Sequence, residues 1–150
     1  MLISLTEVIL ACSNSNPTEY RYYGELSSYL FKYHRIDIKN ESHAYLLIIP
    51  IGGCSPCVNE SLSLAASQKN NMQLKTVLLA DNAKQYLTYQ RTIEALDSAR
   101  VFKETAGNDN GYELGIFSPV LLQIIDGKIT YFKELSSQNI HVVSKEVFGN

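Results

Sequence analysis

At 150 residues, with 13 basic side chains against 15 acidic ones and 45% of residues hydrophobic, the chain has the make-up of one globular domain around one core. A net charge of −2 with no basic stripe leaves no case for nucleic-acid binding, and no apolar run reaches the roughly 18–20 residues that span a bilayer. Three cysteines are too few for a disulfide scaffold, and the odd count sets one of them, Cys12, apart from the other two.

The first dozen residues, MLISLTEVILAC, are mostly apolar and end Ile9-Leu10-Ala11-Cys12 before the polar stretch SNSNPTE. That ending resembles the lipobox of bacterial lipoproteins, where an apolar run and a small residue precede a cysteine that is acylated once the leader is cut. Residues 1–18 are accordingly expected to be a leader and tether, residues 19–150 the domain, and Cys12 the lipid-bearing residue. On that reading the protein is a lipoprotein of the bacterial cell envelope, facing the periplasm, where disulfides persist. The alternative is an apolar first strand that buries Cys12 in a cytoplasmic protein. The absence of Lys and Arg ahead of the run, and Glu7 within it, favour that alternative.

Next comes YRYYGELSSYLFKYHRIDI, where Tyr29, Phe31 and Tyr33 alternate as strand residues do and Gly24 suits a turn, so an extended segment is predicted. AYLLIIPI (44–51) is a continuous apolar run of strand length, buried on both faces, with Pro50 marking the end of pairing. From Pro56 the positions of Val58, Leu62, Ala65 and Ala66 predict a helix with one apolar face. QLKTVLLAD (73–81) is a second strand, after which Asp81 or Asn82 caps a longer helix striped by Tyr86, Tyr89, Ile93 and Leu96. A short strand follows at 100–107. SPVLLQIIDGKITYFKEL (118–135) then predicts a hairpin turning at Asp126-Gly127, and the tail a helix capped at Ser136 or Ser137. The order gives an α/β fold: a mixed central sheet with helices on both faces.

The least ordinary stretch is IPIGGCSPCVNESL, residues 49–62. Two cysteines three residues apart could serve a metal, a structural staple or a thiol that attacks disulfides. Zinc wants four ligands, and His34, His43 and His141 are scattered without ligand spacing, so no metal is expected. A staple closing so short a loop adds little stability. The third use fits the flanking residues. Gly52 and Gly53 let the backbone approach another molecule, and Pro56 suits a first helical turn. Cys54 then lies at the N-cap, where the helix dipole favours a thiolate, and Cys57 lies one turn deeper. Cys54 would attack a partner disulfide and Cys57 would resolve the mixed disulfide. Glu60 would oppose thiolate formation if its carboxylate came close.

This arrangement resembles the thioredoxin superfamily, and within it the envelope-facing, TlpA-like branch of bacteria. The likeness covers roughly residues 44–135 and rests on strand, CSPC and helix, with FSPVLLQIIDGKI some 60 residues downstream. It implies a thioredoxin-like domain and a cis bond before Pro119. It also implies that a substrate meets Gly53, Ser55 and Pro56 beside the cysteines and the Ser118 backbone beside Pro119. The sequence departs from the family in carrying Gly53 where an aromatic residue usually stands, and Ile48 where many thioredoxins bury an acid. The implied activity is thiol–disulfide exchange with protein thiols and disulfides. No cofactor is needed beyond the Cys54–Cys57 disulfide itself, and a membrane donor is the candidate source of electrons. Two other readings compete with it: a thioredoxin-like lipoprotein that binds a peptide or partner without turnover, and a single-cysteine peroxidase-like enzyme.

Overall fold

The computed structural model describes residues 20–104 and 114–149. Five strands form one sheet in the order β3-β2-β1-β4-β5. In chain order the elements are α1 (Tyr23–His34), β1 (His43–Pro50), α2 (Ser55–Ser67), β2 (Leu74–Leu79), α3 (Ala83–Thr88), α4 (Gln90–Glu94), β3 (Val101–Lys103), β4 (Val120–Ile125), β5 (Lys128–Glu134) and α5 (Ile140–Phe148). β1, β2 and β3 run parallel, whereas β4 lies antiparallel to β1 and β5 antiparallel to β4.

Strict alternation along β1 builds two cores. Leu46 and Ile48 point to one face and join Leu26, Tyr29 and Leu30 of α1. Leu47 and Ile49 point to the other, against Val58 and Leu62 of α2, Ile93 of α4 and Val143 of α5. Both steps from β1 to β2 and from β2 to β3 move in one direction across the sheet. Right-handed crossovers therefore put α2 and α4 on the same side, leaving the opposite side to α1. No helix among the described residues is long and apolar enough to cross a membrane.

The hairpin turns where the sequence places it. Asp126 and Gly127 both have positive φ, 49° and 73°, as a two-residue type I′ turn requires. A Cβ on Gly127 would stand 2.4 Å from the Lys39 carbonyl oxygen, so glycine is needed for space as well as for φ.

Three expectations are corrected. Residues 23–34 are helical, not extended, and Gly24 lies inside the helix. The chain buries Leu26, Tyr29 and Leu30 at helical spacing and leaves Phe31 half exposed, so the alternation of aromatics was incidental. The longer helix after β2 is broken at Tyr89, which ends α3 and starts α4, although Tyr89, Ile93 and Leu96 still share one buried stripe. The closing helix begins at Ile140, not at Ser136 or Ser137. The Asn139 side chain is instead engaged upstream, accepting from Ser136 N at 2.8 Å and donating to Glu134 O at 3.0 Å. The leader reading and Cys12 lie outside the described residues.

Candidate active site

β1 and β2 stay paired to Pro50 and Leu79, and Ile51 N still donates to Leu79 O at 2.8 Å. The chain then leaves the sheet through Gly52 and Gly53, and Gly53 N turns back to Pro50 O at 3.1 Å. Cys54 is the N-cap of α2, and its carbonyl accepts the first helical bond from Val58 N at 2.9 Å. Pro56 occupies the first turn, where an absent N–H costs no bond. Residues 52–56 are all exposed and Cys57 is partly covered.

Both cysteines are free thiols and they differ. The Cys54 thiol is held below its ordinary value, first by the Cys57 thiol beside it and next by the Cys57 backbone N–H. No full capping bond forms from the Cys54 side chain, so these are contacts at a helix end rather than a closed cap. Cys57 is pushed the other way, mainly by Cys54 and then by its own cover, while the Ser137 backbone N–H from the β5–α5 loop partly opposes this. No carboxylate is among the groups acting on either sulfur. Glu60 lies 3.6 Å from His141 Nε2. Ile48 is buried in the α1-side core.

The second segment reaches the same end of the sheet. Val120 pairs with Ile48, and Pro119 O accepts from Leu135 N at 2.7 Å. A Cβ on Gly53 would stand 3.6 Å from the Phe117 carbonyl oxygen, which sets the 116–118 strand entry directly over the turn that carries Cys54. Ser118 is half-buried and Pro119 buried. The expected cis bond is not found: every peptide bond among the described residues is trans, including Ser118–Pro119. Trans is the lower-energy form of an X–Pro bond by about 0.5–1 kcal/mol, and the ladder beginning at Val120 is satisfied with it.

This segment is held from behind by the start of α1. The Tyr20 hydroxyl donates to Leu114 O, and the Tyr20 ring stacks on Phe132 at 5.1 Å. The Tyr22 ring covers Gly115, where φ is +63° and any Cβ would strike the ring. Beyond Gly53 the surface falls into a cavity of about 400 Å³ between the ends of β1 and β2 and residues 114–117. Phe117, at its rim, is 86% exposed. Asp81, Gln85 and Glu104 also line it. Sequence reasoning gave none of these four a site role. The one available signal was an aromatic residue two positions before Pro119. Among the described residues no group of His, Cys, Asp and Glu could hold a metal ion.

Strand order, helix placement and a Cys-x-x-Cys at the start of the first helix that crosses between parallel strands together define a thioredoxin-like fold with a dithiol at its open end. No protein-family model matches the chain, and no curated protein matches it. Among solved structures it is similar to a solution structure from Neisseria meningitidis described as a "Putative Thioredoxin", at 15% identity and a TM-score of 0.46, covering 75% of this chain and 76% of that one. The fold assignment rests on the topology and not on that likeness.

Proposed function

We propose that the chain is a thiol–disulfide oxidoreductase acting on protein disulfides. One observation carries the reading: an exposed, acidified thiol at a helix N-cap stands beside a partly covered, de-acidified one. The Cys54 thiolate attacks one sulfur of the substrate disulfide, forming a Cys54–substrate bond and releasing the other sulfur as a thiolate. Cys57 then loses its proton and attacks Cys54, releasing the second substrate thiolate and closing the Cys54–Cys57 disulfide. The substrate gains two electrons and two protons, and the dithiol loses them. The Ser137 N–H supports the second step, because it stabilises negative charge on Cys57 as the proton leaves. An extended substrate would run past Gly53, Ser55 and Pro56 on one side and Ser118 and Pro119 on the other. As to setting, we read residues 1–18 as a tether acylated at Cys12 that holds the domain at the envelope. The mass of the mature protein tests this, and an unmodified chain would remove it.

The test of the activity is a redox titration of the pair against glutathione and dithiothreitol, combined with reduction of insulin. Wild type should show one two-electron couple and precipitate insulin. Cys54→Ser should do neither while keeping its melting temperature. A Cys54→Ser protein that still reduces insulin would exclude the proposal.

A further inference from the structure

We propose that the cavity beside Gly53 receives a basic side chain, Lys or Arg, from the protein whose disulfide Cys54 attacks; this rests on Cys54 being the nucleophile. Gly53 precedes Cys54 and is also a wall of the cavity. A substrate side chain lodged there is therefore only a few residues from the cysteine under attack, at about 3.3–3.6 Å of extended chain per residue.

The lining fits a long cation. Leu79, Ala80, Ile116 and Phe117 supply apolar walls for a methylene stem. Two acids, Asp81 and Glu104, line the same cavity, and among the described residues no lysine, arginine or histidine does. Asp81 is exposed and its Oδ2 accepts from the Gln85 amide at 3.0 Å, a neutral donor that fixes the carboxylate without cancelling its charge. Glu104 is buried and already engaged, and its carboxylate is the second cause, after burial, that pushes Tyr86 up to about 12. Its backbone is fixed, with Glu104 N donating to Leu78 O at 2.9 Å and Tyr86 Oη lying 3.0 Å from Glu104 O. The exposed Phe117 ring at the rim offers a face to an incoming ammonium or guanidinium. An acidic or purely apolar substrate segment gains less, since entering the cavity would set it against the exposed Asp81 carboxylate.

The test uses the full chain, reduced beforehand with dithiothreitol and freed of it. The probes are three cysteine peptides that differ only in Lys, Gln or Glu beside the cysteine, each capped as a mixed disulfide with 5-thio-2-nitrobenzoate. Attack on the peptide sulfur releases the coloured thiolate, and Cys57 then frees the peptide as a thiol, so protein and probe exchange two electrons. At low salt the Lys peptide should react about tenfold faster than the Glu peptide, with the gap closing in 1 M salt as charges are screened. Asp81→Asn should shrink the Lys-to-Glu ratio by about threefold, and Glu94→Gln, an exposed acid of α4 that does not line the cavity, should leave it in place. Glu104→Gln should shrink it too; if that buried change prevents folding, Asp81→Asn and the salt series decide alone. Equal rates for the three peptides, a faster Glu peptide or a ratio unmoved by Asp81→Asn overturns the inference while leaving the oxidoreductase reading intact. Failure to release the thiolate from any peptide overturns both.

Discussion

The two ends of β1 are built differently. At its beginning, the hairpin turn is tied down by Asp126 N to Ser42 O at 3.0 Å, Gly127 N to Glu41 O at 2.9 Å and the Tyr23 hydroxyl to Gly127 O at 2.5 Å. Glu41 also pairs with Lys75 of β2, and His43 lies 3.0 Å from the Gln73 amide. At the other end, pairing stops at Pro50 and the chain runs exposed from Gly52 to Pro56. The contrast teaches that one sheet can be tied down at one end while its other end leaves a sulfur exposed. Cross-links at the far end keep the strands in register, so the near end can present a thiol without covering it.

Three measurements test that contrast. The largest effect is expected at the open end. Cys57→Ser leaves the first attack possible but removes resolution, so turnover is lost and a Cys54–substrate adduct accumulates on non-reducing gels, with no change in melting temperature. A Cys57→Ser protein that turns over normally would mean that Cys54 acts alone, as in a peroxidase-like enzyme. Next in size is the tied end. Gly127→Ala places a Cβ against the Lys39 carbonyl at positive φ and should lower unfolding stability by about 3 kcal/mol in denaturant titrations. Thiol reactivity per folded molecule should not change, and a loss of reactivity would show that the ends are coupled. The smallest effect is a displacement of a pH profile. Cys54 carries a lowered pKa, so its alkylation by iodoacetamide should reach half its maximal rate at a lower pH than an unperturbed thiol, and Cys57 of the wild-type chain, followed separately by mass spectrometry, at a higher one. Coincident profiles would break the division of labour.

Much of this end was legible in the sequence, because few residue types permit what it does. A strand-length apolar run, paired glycines and a proline at a helix start lie where the sequence put them, with both cysteines at the start of α2. Asp126-Gly127 was equally explicit, since only such pairs accept two positive φ values in succession. The α1 segment was misread because tyrosines favour strands and happened to alternate; what decided the matter was the α1-side face of the sheet, which needs a helix to cover it. Asp81 and Glu104 carried no local signal, and Phe117 only its place two positions before Pro119. They meet at one cavity only because β1 and β2 end together and the segment before β4 folds over that edge.

The tyrosines at the start of α1 also bear on the order in which the molecule can assemble. Tyr20 finds its acceptor 94 residues later, at Leu114, and Tyr23 finds its own 104 residues later, at Gly127. By contrast, β1, α2 and β2 meet over short separations and can associate early. During synthesis α1 can lay its apolar side on β1 and β2 as soon as these pair, whereas its tyrosine anchors must wait until residues 114 and 127 have been made. Fastening of α1 at Leu114 and Gly127 is therefore a late step, and a stalled chain lacking residues beyond 114 would hold this helix by its apolar side alone.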